Sequence, residues 1–230
     1  MKHATLFLLA GSCLFAQDLS VLQPSARILF QGDSITDGNR GRTADPNHIL
    51  GHGYVFVIAA KYGADYPDRR LTFLNRGVSG NTVANLAARW QTDTIDLKPV
   101  VLSILIGVND LDHGVSVELF EQQYDRLLAD TVKALPNLKL VLGEPFSARV
   151  GRYDNEHWDD RVADLKKRQA VVAKLADKYH AALVHYQKAF DEAIQRAPAD
   201  YWIWDGIHPT YSGHQIMADE WIRTVSQFWH

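Results

Sequence analysis

The chain has 230 residues, 47% of them hydrophobic and 22% charged, and a formal net charge of −3 at pH 7. That length and apolar content suffice for one domain with a substantial core. The mild, dispersed charge contains no run of lysine and arginine, so no nucleic-acid partner is expected, and no repeat, low-complexity stretch or linker divides the chain.

Residues 1–16 begin with a basic Lys2, pass through Leu6-Phe7-Leu8-Leu9-Ala10 and end on small residues up to Ala16. This pattern predicts a signal peptide cleaved after Ala16, a secreted or periplasmic protein, and a single mature domain over residues 17–230. The apolar stretch is too short to span a bilayer, so stable membrane insertion is not expected. Two alternatives are a buried N-terminal strand and a lipid anchor, the latter because Leu9-Ala10-Gly11-Ser12-Cys13 loosely resembles a lipobox. Cys13 is the only cysteine. Cleavage would leave none, and a hydroxyl group would then be the route to covalent catalysis.

Beyond this segment, short apolar runs alternate with amphipathic periodicity. A strand is predicted at residues 27–31, a helix at 54–66, a strand at 71–75 and a helix at 82–93. A strand at 100–106, a helix at 117–135, a strand at 139–142 and a helix at 160–180 follow. The chain closes with a strand at 182–184 and helices at 188–196 and 212–228. Continuous apolar strands between helices predict an α/β fold, a three-layer αβα sandwich around a five-stranded parallel sheet. Right-handed crossovers bring the C-terminal strand ends to one edge, where open α/β sheets place their sites.

Four segments stand at or near such positions: Gly32-Asp33-Ser34-Ile35, Gly77-Val78-Ser79-Gly80-Asn81, Gly107-Val108-Asn109-Asp110 and Asp205-Gly206-Ile207-His208-Pro209. Each alone is ordinary turn or capping chemistry. A serine hydroxyl needs a base to take its proton, and a histidine serves when a carboxylate fixes its tautomer. Asp205 and His208 share one glycine-containing turn, where both side chains can face the same way. Asp33, Asp37 and Asp110 are expected to hold backbone amides. His48 and His52 have a metal-ligand spacing but lack a third ligand, and Gly51 and Gly53 disfavour a helix there, so no metal is expected.

In this order the four segments resemble the SGNH hydrolases, also called the GDSL esterase/lipase family, over nearly all of the mature chain. The matching blocks are QGDSITDG with Ser34, NRGVSGNT with Gly80, IGVND with Asn109 and DGIHPTYSGH with Asp205 and His208. The resemblance implies the flavodoxin-like SGNH hydrolase fold and ester hydrolysis through an acyl-enzyme, without a cofactor. It also implies Ser34 as nucleophile, His208 as base and Asp205 as its partner. The oxyanion donors would be the backbone N–H groups of Ser34 and Gly80 and the side-chain amide of Asn109.

Family relatives include carbohydrate O-acetylesterases, lysophospholipases, thioesterases and arylesterases. A small-molecule or polysaccharide acetyl ester is favoured here for three reasons: the export signal, the polar-aromatic segment 146–158 with Arg149, Arg152, Tyr153, His157 and Trp158, and Trp202 with Trp204 before the Asp205 turn. A lipid esterase is the alternative substrate class, and a carbohydrate-binding protein without catalysis is the alternative of another kind. Nothing in the sequence speaks to self-association.

Overall fold

The structure, a computed structural model, describes residues 22–229. The signal peptide expected at residues 1–16 lies outside the described residues. Five strands form one parallel sheet: β1 (Arg27–Gly32), β2 (Thr72–Asn75), β3 (Val101–Leu105), β4 (Lys139–Gly143) and β5 (Ala182–Val184). Their order is β2-β1-β3-β4-β5, with Leu29 of β1 in register with Leu74 on one side and Leu102 on the other. This is the flavodoxin-like order.

Alternation along the strands explains the layers. Ile28 and Phe30 of β1, Val101 and Leu105 of β3 and Val141 of β4 join one apolar cluster. Their neighbours Leu29, Leu102, Ile104, Leu140 and Leu142 join the other. The first cluster is closed by α2 (Tyr54–Asp65), α7 (Tyr186–Ile194) and α9 (Tyr211–Phe228), and the second by α3 (Val83–Trp90), α5 (Val117–Ala134) and α6 (Trp158–Lys178). Because both faces are covered, the strands read as unbroken apolar runs. The expected αβα sandwich is therefore the observed architecture.

Three short helices escape helical periodicity because each is close to a single turn: α1 (Ser34–Asp37), α4 (Val108–Asp112) and α8 (Ala199–Trp202). The helix expected over residues 82–93 is also modified. It starts from a Thr82–Asn85 capping box, ends at Trp90 and continues as a wide π turn over Gln91–Ile95. That turn aims the Asp93 carbonyl and Thr94 Oγ1 at Gln31 Nε2 of β1, each at 2.8 Å. No described helix is long and apolar enough to cross a membrane.

The strand order places the site. The chain leaves β1 for β2 on one side and then returns past β1 to β3 on the other. The reversal opens a crevice beyond the C-terminal ends of β1 and β3. Ser34 follows β1, Gly80 follows β2 and Asn109 follows β3, so three of the four segments converge on this edge.

Candidate active site

Ser34 opens α1, directly after β1. Asp33 caps this turn, its Oδ1 accepting the Ile35 N–H at 3.0 Å, and Gly38 ends it in the left-handed conformation. The short rigid turn fixes where the Ser34 hydroxyl points. Its Oγ lies 2.8 Å from His208 Nε2, and His208 Nδ1 lies 2.8 Å from Asp205 Oδ2.

The Asp205–His208 turn organises itself through one carboxylate. Asp205 Oδ1 accepts the backbone N–H groups of Ile207 at 3.1 Å and His208 at 2.8 Å, while Oδ2 faces the imidazole. Burial pushes the Asp205 carboxyl up, but the His208 backbone N–H, the imidazole and the Ile207 N–H outweigh it and hold the group below the usual carboxylate range. An ionised carboxylate only accepts, so Nδ1 carries the imidazole proton and Nε2 is left to accept from Ser34.

Gly80 sits in an exposed turn with φ 80, a conformation that a side chain disfavours, and a Cβ there would meet nothing within 4 Å. Glycine is therefore required by backbone conformation and not by crowding. Neither its N–H nor that of Ser34 donates to a protein acceptor among the described residues. Asn109 Nδ2 donates to the Asn81 carbonyl at 3.1 Å, which ties the β3 and β2 loops together. The three aspartates hold amides as expected. Asp33 takes Ile35, Asp110 Oδ1 takes the Val83 N–H at 3.1 Å, and Asp37 takes the N–H groups of Arg40 and Ser79, each at 3.1 Å.

Comparison with known proteins shows the family. Residues 30–216 match the GDSL-like lipase/acylhydrolase family. The chain belongs to that family. It is 32% identical over 213 residues to an acetylxylan esterase of Geobacillus stearothermophilus, covering 88% of this chain and 95% of that protein. A solved structure of that enzyme superposes with a TM-score of 0.78 at 30% identity, over 89% of this chain and 95% of the other. A GDSL-like protein of Parabacteroides merdae superposes with a TM-score of 0.83 at 38% identity, over 88% and 96% of the two chains. The present protein is thus a carboxylic ester hydrolase of the GDSL family.

Around the site of this GDSL esterase, the structure sorts the aromatic and basic candidates. Trp202 is a core residue, 8% exposed, so it is not available as a sugar platform; Trp204 is 62% exposed. Its ring is stacked beside His208 with centroids 6.4 Å apart. Of the segment 146–158, only part reaches the Asp205–His208 turn. Arg152 Nη2 lies 3.6 Å from Asp205 Oδ2, whereas Arg149 pairs with Asp154 and His157 with Glu156. Trp158 instead opens α6.

Several supporting contacts carry no sequence signal. The Gly206 carbonyl accepts from Ala148 N and Ser147 Oγ, which pins the Asp205–His208 turn to the loop after β4. Tyr153 packs so closely on Gly206 that a Cβ there would lie 2.4 Å from its ring, and the Gly206 φ is 101. The Tyr153 hydroxyl donates to Asp112 Oδ2 at 2.7 Å, and Arg161 covers its ring while pairing with Asp112. Asp112 ends α4, the helix that carries Asn109, so this chain of contacts links Asn109 to the Asp205–His208 turn. Among the described residues no group of three or more His, Cys, Asp or Glu is placed to hold a metal ion.

Proposed function

We propose that this enzyme hydrolyses short-chain, chiefly acetyl, esters of carbohydrates through a Ser34–His208–Asp205 triad and an acyl-enzyme. The observation that carries the proposal is the unbroken relay of two 2.8 Å contacts from the Ser34 hydroxyl through His208 to Asp205. His208 Nε2 takes the proton as Ser34 Oγ attacks the acyl carbon. The oxyanion that forms is held by the N–H groups of Ser34 and Gly80 and by Asn109 Nδ2. His208 then returns the proton to the leaving alcohol, and water releases the acyl group by the same steps in reverse.

The Geobacillus relative supports both halves of the proposal. It is an acetylxylan esterase, and its solved catalytic mutants replace a serine, an aspartate and a histidine. The aspartate and histidine stand three positions apart, the same spacing as Asp205 and His208. Trp204 offers an exposed ring beside His208 on which a sugar can stack. The signal peptide proposed for residues 1–16 fits a polysaccharide met outside the cytoplasm.

A fluorophosphonate should label the parent enzyme and leave Ser34→Ala unlabelled and inactive, with the fold intact. Labelling or activity of Ser34→Ala within about tenfold of the parent would remove Ser34 as nucleophile. For the substrate, kcat/KM should be highest for acetyl esters and acetylated oligosaccharides and fall as the acyl chain lengthens. A maximum at octanoyl esters, or a preference for lysophosphatidylcholine, would overturn the carbohydrate acetyl reading and leave the triad untouched.

A further inference from the structure

Away from the triad, the loop between α1 and α2 carries Arg40 and Arg42, which meet Arg76, the residue after β2. The three arginines line a cavity of about 420 Å³ together with Thr43, Ile49 and Asp93. The carboxylates nearby are largely committed. Asp37 takes a two-pronged contact from Arg42, at 3.1 and 2.7 Å. Asp93 pairs with Arg89 at 3.0 Å and only loosely with Arg76, at 3.9 Å.

Arg40 is the unmatched member. Its Nε donates to the Gly77 carbonyl at 3.0 Å, and no carboxylate lies within ion-pair distance of it among the described residues. The two Nη groups have no protein acceptor among the described residues, although the side chain is half-buried. Burial, Arg42 and Arg76 push its pKa down to about 10 against the opposing pull of Asp37 and Asp93, so it remains charged at neutral pH. Anchoring the loop accounts for Arg42 and for the Nε of Arg40. It does not account for the free fork of Arg40, or for Arg76 turned toward the same cavity.

We propose that Arg40 and Arg76, beside the Asp37-paired Arg42, form an anion-binding subsite for a carboxylate, sulfate or phosphate group. A guanidinium fork presents paired N–H donors that match the oxygens of such a group. The subsite joins the catalytic edge through short contacts: Arg40 holds the Gly77 carbonyl and Asp37 holds the Ser79 N–H, in the same turn as Gly80. The anion is either an acidic substituent of the saccharide substrate, which rests on the function proposed above, or a free ion. Binding of a free ion is independent of that function.

Sulfate titrated calorimetrically at constant ionic strength tests the subsite directly. The parent should show saturable single-site binding, weakened about tenfold or more in Arg40→Gln and in Arg76→Gln. Arg76 makes few contacts of its own, so its variant keeps the test valid if Arg40→Gln disturbs the loop. Circular dichroism and p-nitrophenyl acetate hydrolysis establish that each variant is folded and competent. Absence of saturable sulfate binding to the parent, or equal affinity in a folded Arg76→Gln, would overturn the proposal.

The source of the anion is read from kcat/KM for acetylated oligosaccharides with and without a uronate. A preference for the acidic substrate that falls about tenfold in the variants assigns the subsite to the substrate. An unchanged ratio alongside weakened sulfate binding assigns it to a free ion. Sulfate binding is measured without turnover, so a failed carbohydrate assignment does not disturb this result.

Discussion

Asn109 has two amide hydrogens, and the Asn81 carbonyl takes one of them at 3.1 Å. That contact fixes the plane of the amide and leaves the second N–H for the oxyanion contact proposed above. Asn109→Ala should therefore lower kcat by about 10²–10³ with little change in KM. A change confined to KM would make Asn109 a substrate-binding residue. Asp33, beside Ser34, behaves differently. Burial pushes its carboxyl up to about 7, with Asp110 adding to the effect, and Oδ2 has no partner among the described residues. A carboxyl raised in the folded state holds its proton longer there than in the unfolded chain. Its contribution to stability is present below the unfolded value of 3.8 and is lost as pH rises through about 7. Asp33→Asn keeps an acceptor for Ile35 without that ionisation. Its melting temperature relative to the parent should thus rise between about pH 5 and pH 8, and a pH-independent difference would refute this account.

At the level of elements, α2 begins at Gly53, which has no side chain to cap it. The acceptor comes from α9 instead, where His214 Nδ1 takes the Tyr54 N–H at 3.1 Å. Burial, then His52 and His208, lower the His214 pKa from 6.5 to about 4, so it is neutral at working pH and able to accept. The unfolded chain binds this proton first as pH falls. The stabilisation is present above 6.5 and is lost as pH falls toward about 4, amounting to about 3 kcal/mol over that window. His214→Ala should cost about 1 kcal/mol near neutrality through the lost cap, and should flatten the acid limb of the stability profile. Urea denaturation at several pH values measures both effects. An unchanged acid slope would show that other groups set it.

At the scale of the whole molecule, Trp221 of α9 ties that helix to β1, α2 and β3. It is 1% exposed, packs on Phe30 of β1 and Tyr62 of α2, and donates from Nε1 to Ser103 Oγ of β3 at 3.0 Å. Trp221→Ala leaves a cavity and an unpaired buried hydroxyl, and should destabilise by about 3–5 kcal/mol. The denaturant midpoint should fall with an unchanged m-value, because the same surface is exposed on unfolding. A loss below about 1 kcal/mol would show that α9 is held chiefly by other contacts.

By itself the sequence determined the strands and long helices, because burial on both sheet faces and helical amphipathicity leave periodic traces along the chain. It also determined the four segments at the catalytic edge, and the local aspartate and histidine of one turn. Trp202 and Trp204 were beyond it. An apolar run gives no phase: Trp202 ends α8 with its ring in the core, whereas Trp204, past the helix, is turned out to solvent. The contacts of Arg152 with Asp205, His214 with Tyr54 and Tyr153 with Asp112 are likewise products of the tertiary structure. Each joins loops or helix ends borne on different strands. Such polar contacts have no period along the chain, and they arise only once the sheet order has brought those loops to one edge.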